Sequence, residues 1–212
     1  AWGNHVFGTQ DVVEHGVDTR FAELVVQDLC GLQQDLALGL EACDDRLERC
    51  ERNRPDDATV IGVPLDFTAN TITMRGPASA AVQKDVLGHI PHVDDGPWPQ
   101  FPSDLMSTMI VLATQAHGTV LFFEKMFESR MYFVDLLIQM GAGIIVCDPH
   151  RVVVTGPTPL RSQYMSSPDI RAGMALLIAA LCADGHSIVD NAWVIDRGYE
   201  NITGKLQKLG AQ

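Results

Sequence analysis

The stretch Ser103–Lys125, SDLMSTMIVLATQAHGTVLFFEK, joins a helical pattern to a strand pattern and decides the fold class. Its apolar spacing predicts a helix over Ser103–Ala116, with Ser103 suited to the N-cap and Asp104 to the first turn. The residues Thr119–Lys125 predict a strand. A helix that leads directly into a strand is typical of α/β proteins, in which helices bury one face of a sheet.

The same alternation of helices and strands occupies the chain from about Val82 onward. The further predicted elements are a helix Met131–Met140, strands Ile144–Cys147 and Val152–Thr155 around a tight turn Asp148–Arg151, a helix Asp169–Ala183, a strand His186–Asp190 and a helix Tyr199–Leu209. Because short loops connect these elements, we predict an α/β (α+β) layered fold.

Residues 1–80 form a separate, unassigned segment at the sequence level, in the place of the first part of the domain. Leucines at helical spacings predict a long helix over Val17–Arg54, although two glycines inside it weaken that prediction. The residues that follow predict a β-hairpin with strands Thr59–Val63 and Thr71–Met74. No motif in this segment indicates chemistry.

Composition excludes several classes of protein. The formal net charge of −12 and the absence of a basic stripe argue against nucleic-acid binding. The longest apolar run, Ala172–Ala183, is far shorter than the ~20 residues that cross a bilayer, so we expect a soluble, cytoplasmic protein without membrane contact. Its five cysteines lack CxxC spacing, which favours buried reduced thiols over disulfides or zinc. We expect neither a metal nor an organic cofactor.

Three arginines, Arg130, Arg171 and Arg197, are placed by this pattern at the starts of helices. A helix N-terminus carries partial positive charge, so a cation there is disfavoured unless an anion binds nearby. For Arg171, Ser167 is the predicted N-cap and Pro168 the first helical residue. We therefore predict an anion-binding site built by these arginines.

Each of these residues also has a simpler interpretation. Arg171 can pair with Asp169 or another neighbouring acid, and Arg197 with Asp196 or Glu200. Asp104 is explained by helix capping unless other evidence gives it a function. For Met126 and Phe127, we expect core packing for at least one.

Five motifs resemble the C-terminal part of the UDP-N-acetylglucosamine enolpyruvyl transferase family. They lie at Asp94–Asp104, Lys125–Arg130, Cys147–Arg151, Ser167–Gly173 and Ile195–Glu200. The resemblance implies an inside-out α/β barrel of repeated βαβαββ units, one of two such domains that close on the substrates. It also implies transfer of the enolpyruvyl group of phosphoenolpyruvate to the 3′-hydroxyl of UDP-N-acetylglucosamine, a step of peptidoglycan precursor synthesis.

The resemblance assigns roles to seven residues by matched position. The residues implied to act in catalysis are Asp104, as the base for the sugar hydroxyl, and Arg197, which together with Arg171 holds phosphoenolpyruvate. The residues implied to bind substrate are Met126, Phe127, Arg130, Asp169 and Arg171.

The chain lacks two features of that family, a Lys-Asn pair near the start and a loop cysteine that acts as general acid. We therefore expect an incomplete half that a missing N-terminal domain or a second chain completes, with weak or no turnover on its own. The alternative hypothesis is a non-catalytic binding or assembly protein that docks a partner through the Val17–Arg54 helix.

Overall fold

The computed structural model describes residues 5–8, 60–62, 65–67, 72–74, 80–84, 87–97 and 100–208. The strands are β1 His5–Gly8, β2 Leu65–Phe67, β3 Ile72–Met74, β4 His92–Asp94, β5 Gly118–Phe123, β6 Gly143–Asp148, β7 Arg151–Gly156, β8 Tyr164–Ser166 and β9 His186–Asp190. The α-helices are α1 Met106–Gln115, α2 Val134–Gln139, α3 Ile170–Cys182, α4 Trp193–Asp196 and α5 Ile202–Lys208, and 3₁₀ segments Ser103–Leu105 and Arg130–Phe133 precede α1 and α2. The helix predicted over Val17–Arg54 lies outside the described residues, and so does the partner-docking hypothesis that depends on it.

A four-stranded sheet in the order β4-β5-β7-β6 organises the middle of the chain. Strands β4 and β5 run parallel, whereas β7 is antiparallel to both β5 and β6. Paired residues on one face, such as Phe122 opposite Val152 and Val120 opposite Val154, are fully buried. Helix α1 packs against β5 and β7. This face and the helix form the core.

Helix α3 lies in the interior beside α1 and also contacts the second sheet, β1-β9-β8. Nine of its residues are buried, from Ala172 to Ala180. A helix that is apolar around its whole circumference is stable only when protein surrounds it. The two buried helices therefore form the layer that joins the sheets, and the predicted α/β class is confirmed.

The turn predicted at Asp148–Arg151 is confirmed. Oδ1 of Asp148 accepts hydrogen bonds at 2.8 Å from the backbone N–H groups of His150 and Arg151. These donors, with the Arg151 side chain, lower the pKa of Asp148. The turn is held by a local carboxylate, as in other Asx turns.

Two element boundaries differ from the predictions because residues adopt left-handed backbone conformations. The strand predicted over Thr59–Val63 is wrong, because Val60 is helical, Ile61 and Gly62 form a turn, and Gly62 has φ 81°. The hairpin is made instead by β2 and β3. The last helix starts at Ile202 rather than Tyr199, since Asn201 has φ 51°, which no helix interior accommodates.

Among the described cysteines, Cys147 is exposed and Cys182 is half-buried, so the expectation of buried thiols is wrong for Cys147. No helix in the described ranges combines the length and apolar character that crossing a membrane requires.

Candidate functional site

A polar pocket of about 160 Å³ opens beside the end of β5. The starts of α1, of α3 and of the 3₁₀ segment before α2 form the rest of its wall. Its polar lining consists of Ser103, Ser107, Glu124, Arg130, Asp169 and Arg171. Each of these side chains comes from a helix start or from the end of a strand. Loops at such positions commonly build binding sites in α/β proteins.

Asp104 connects the two pocket arginines. Its Oδ1 accepts a hydrogen bond from Nε of Arg171, and Nη1 of Arg130 lies 3.4 Å from the same oxygen. The hydrogen bond to Asp104 is the main reason that the pKa of Arg171 is raised. The acid that pairs with Arg171 is therefore Asp104, from a different element, rather than Asp169 beside it.

Asp104 reaches this position from the 3₁₀ segment that precedes α1. The predicted N-cap at Ser103 is wrong, because Pro102 occupies that position and Ser103 is the first residue of the 3₁₀ segment. The predicted placement of Asp104 in the first turn is confirmed. Capping alone does not describe Asp104, since its side chain is engaged by guanidinium groups from two other segments.

Arg130 lies at a helix start, as predicted, and two contacts orient it. Ser129 precedes it with φ 67°, which turns the chain from the end of β5 into the 3₁₀ segment. The Arg130 guanidinium lies 3.7 Å from the centre of the Phe127 ring, a cation–π distance. Met126 and Phe127 are 45% and 44% exposed, so the expectation of core packing for at least one is wrong. They form an apolar surface next to the pocket.

The N-cap of α3 is Asp169, not Ser167 as predicted, and the helix begins at Ile170. Oδ1 of Asp169 accepts from the backbone N–H groups of Arg171 at 2.7 Å and Ala172 at 2.9 Å. Ser167 is buried and donates its hydroxyl to the carbonyl of Asp169 at 3.1 Å. The carboxylate is favoured as the cap because its charge complements the helix dipole.

We expect Asp169→Ala to lower the free energy of unfolding by about 1 kcal/mol, since two N–H groups at the start of α3 lose their acceptor. Asp169→Asn keeps a capping oxygen and is the matched control. Urea unfolding followed by circular dichroism measures both variants. Equal stability of Asp169→Ala and the parent protein would contradict this role.

Arg197 does not line the pocket, and its predicted helix-start position is wrong. It is the C-cap of α4, where a cation is favoured by the helix dipole, and it is exposed. Within the described ranges it forms no ion pair. The neighbouring Gly198 packs so closely on Ile170 that an added Cβ would lie 2.5 Å from its Cγ2. Arg197 therefore belongs to a loop beside the start of α3, next to the pocket rather than in it.

Sequence reasoning missed the most buried polar group of the site, the Glu124 carboxyl. Glu124 is 1% exposed and follows directly after β5, and Asp95, which is fully buried, follows β4. Burial first, and then the hydrogen bond and charge of Asp95, raise the pKa of Glu124 to about 8, while Arg130 and the Phe127 N–H act in the opposite direction. The only sequence signal was an acid at the end of an apolar strand.

The fold and the site define a layered α/β domain with a pocket lined by guanidinium and carboxyl groups. A family model described as EPSP synthase (3-phosphoshikimate 1-carboxyvinyltransferase) matches residues 64–206, and the chain belongs to this family. The resemblance to enolpyruvyl transferases noted from the motifs is thereby confirmed.

Several curated relatives are named UDP-N-acetylglucosamine 1-carboxyvinyltransferase. The chain is 60% identical to the protein of Bradyrhizobium diazoefficiens and 57% identical to that of Borrelia garinii subsp. bavariensis, each over 72% of this chain. It spans only 35% and 36% of those two proteins. The structure also resembles the crystal structure of the enolpyruvyl transferase NikO from Streptomyces tendae, with TM-score 0.64 and 26% identity, over 74% of this chain and 34% of that one.

Proposed function

We propose that this chain supplies part of the site for transfer of the enolpyruvyl group of phosphoenolpyruvate to the 3′-hydroxyl of UDP-N-acetylglucosamine. The observation that carries the proposal is the contact of Asp104 with Arg130 and Arg171 at one pocket. The name shared by relatives 57% and 60% identical supports the choice of substrates. Because the chain spans about a third of those relatives, the complete reaction is proposed for the whole protein.

The roles follow from the chemistry of the side chains. Guanidinium groups offer several N–H donors in a plane, which suits phosphate and carboxylate groups alike. Arg171 and Arg130 are positioned to bind the anionic ligands. Both contacts of Asp104 fall on Oδ1, so Oδ2 can accept the proton of the sugar hydroxyl as that oxygen bonds to C2 of phosphoenolpyruvate. A general acid, the loop cysteine in that family, adds a proton to C3 to give the tetrahedral ketal. Inorganic phosphate then leaves from C2 as C3 loses a proton, which restores the double bond of the enolpyruvyl group.

The remaining predicted site residues have supporting roles in this proposal. Met126 and Phe127 provide the exposed apolar surface on which the nucleotide sugar rests. Asp169 lies at the pocket wall, and in this proposal it is beside the reacting centre. Arg197 reaches phosphoenolpyruvate only when its loop moves over the pocket, a motion of the kind that closes many active sites around substrate.

We further infer that the chain is part of an inside-out barrel of βαβαββ units. The element order β4-α1-β5-α2-β6-β7 supports this, because it has the composition of one such unit. Closure of two domains excludes water and completes such sites. We therefore expect slow phosphate release, or none, from this chain alone.

Calorimetric titration with UDP-N-acetylglucosamine tests the proposed binding. We expect saturable heat with the parent chain and a loss of affinity of about tenfold or more in Asp104→Ala, since the sugar hydroxyl loses its acceptor and Arg130 and Arg171 lose the carboxylate that orients them. Asp135→Ala removes an exposed acid from the first turn of α2 and is the matched control. No heat with the parent, or equal affinities for the parent and Asp104→Ala, would refute the proposal.

A further inference from the structure

The buried carboxyl groups of Asp95 and Glu124 lie side by side because β4 and β5 are parallel and in register. Asp94 is paired with Phe123, so the next residues of the two strands, Asp95 and Glu124, leave the sheet together. Asp95 Oδ1 accepts from the backbone N–H of Lys125. Oδ2 of Asp95 and Oε1 of Glu124 are buried and have no hydrogen-bond partner within the described ranges.

Ionisation of two neighbouring buried carboxyl groups at the same time is strongly disfavoured. A buried charge is costly without a partner, and two like charges in contact add repulsion. One proton held between the groups removes both penalties, as in other carboxyl pairs. At neutral pH Glu124 therefore keeps its proton, in agreement with its pKa of about 8.

The protonation of Glu124 matters for Arg130. This arginine acts electrostatically on Glu124 and also contacts Asp104, while both Glu124 and Arg130 line the pocket. A neutral Glu124 leaves Asp104 and a bound anion as the partners of Arg130. An ionised Glu124 competes for the same guanidinium and brings a negative charge to the wall of an anion-binding pocket.

We propose that Asp95 and Glu124 form a proton-sharing positioning pair that keeps Arg130 directed to Asp104 and to the phosphate groups of the ligand. The inference rests on the proposed function and adds that the ligand affinity depends on pH. At pH 7 Glu124 is mostly neutral and ligand affinity is close to its maximum. As the pH rises through about 8, the proton is lost and the affinity falls.

The other charged groups around the pair have identified contacts. Asp94 pairs with Nζ of Lys125, and Nδ1 of His150 lies 3.0 Å from the Glu124 backbone carbonyl rather than from its carboxyl. The charged residues that line the pocket from the helix starts are Arg130, Asp169 and Arg171, and Asp104 contacts both arginines. Among these, Arg130 is the cation that acts on the Glu124 carboxyl.

Calorimetry with UDP-N-acetylglucosamine from pH 7 to 9 tests the pair, because the diphosphate keeps its charge over this range. We expect the affinity of the parent protein to fall about tenfold. Glu124→Gln imitates the neutral group, so its affinity should match the parent at pH 7 and stay constant to pH 9. Asp95→Asn keeps the oxygen that accepts from Lys125 but removes the neighbouring charge, so its loss of affinity should begin at lower pH.

A merely structural Glu124 would give a different pattern. Glu124→Gln would then bind the ligand more weakly than the parent by the same factor at every pH, or its affinity would fall from pH 7 to 9 as that of the parent does. Either result overturns the proposal. Affinity of the parent that is constant from pH 7 to 9 overturns it as well.

NMR of the ligand-free protein separates this inference from the proposed function. We expect one ¹³C-labelled glutamate carboxyl to titrate near pH 8 and the Arg130 Nε resonance to shift with the same midpoint, both changes being absent in Glu124→Gln. That result without any ligand heat would refute the binding function and support the pair. Absence of both titrations would overturn the pair even if the ligand binds.

Discussion

Replacement of Gly156 by alanine is expected to lower the melting temperature by on the order of 10 °C. Gly156 ends β7 against the last turn of α1, and an added Cβ would lie 2.5 Å from the carbonyl oxygen of Ala116, with two further α1 carbonyl oxygens at 2.6 and 2.7 Å. These are backbone atoms, so relief requires α1 to move away from the sheet. Overpacking of this kind costs about 1–3 kcal/mol or more, and each kcal/mol changes the melting temperature by roughly 2–4 °C in a chain of this size.

Thermal unfolding followed by circular dichroism measures this effect. Thr155→Ser, at the neighbouring exposed position of β7, keeps the hydroxyl near Thr119 and is the control. A melting temperature of Gly156→Ala equal to that of the parent would show that α1 and β7 are not packed as described. Since Asp104 lies in the 3₁₀ segment that leads into α1, we also expect the variant to bind UDP-N-acetylglucosamine more weakly.

Arg171→Ala is expected to weaken the binding of phosphoenolpyruvate by about 100-fold. Arg171 forms an ion pair with Asp104. Removal of the Arg171 side chain takes one cation from the pocket, and the Asp104 carboxylate then keeps only its longer contact with Arg130. Loss of a charge-assisted hydrogen bond and the exposure of an unpaired acid both act against an anionic ligand. Arg171→Lys keeps the charge without the planar guanidinium, so its loss should be intermediate.

Fluorescence or calorimetric titration of phosphoenolpyruvate in the presence of UDP-N-acetylglucosamine measures this loss. Arg161→Ala removes an exposed arginine outside the pocket and should leave the affinity unchanged. The melting temperature of Arg171→Ala should change little, because a partly exposed ion pair contributes only about 0–1 kcal/mol. Binding by Arg171→Ala within threefold or so of the parent would exclude Arg171 from the site.

Local patterns predicted the longer elements because their buried apolar residues recur at the regular spacing of a helix or a strand. The helix now assigned as α1, the strands β5, β7 and β9, and the helix α3 all overlap their predicted ranges. The missed elements are β1, β2, β4, β8 and α4, which have three or four residues each. A segment of that length shows no periodicity, and its pairing with a distant strand decides its conformation.

The arginine pattern predicted part of the site for a reason that is only partly correct. Arg130 and Arg171 do lie at helix starts and share a pocket, but both already contact an anion of the protein itself, Asp104. Arg197 lies at the end of α4 rather than at the start of a helix. The local pattern predicted a helix start there because it did not show the short α4 or the left-handed Asn201, after which α5 begins. The assignment of roles to these residues remains a prediction that the proposed titrations test.

By itself, the sequence determined the α/β class, the order of the main elements and the three residues Asp104, Arg130 and Arg171 as candidates for one site. Only the tertiary structure decided that Asp104 pairs with both arginines, that Asp169 caps α3, and that Arg197 stays outside the pocket. It also decided that the Glu124 carboxyl is buried against Asp95, through the parallel register of β4 and β5. The physical reason is that the periodicity of a helix or strand depends on residues a few positions apart. The partner and the solvent exposure of a charged side chain depend instead on residues far apart in the chain.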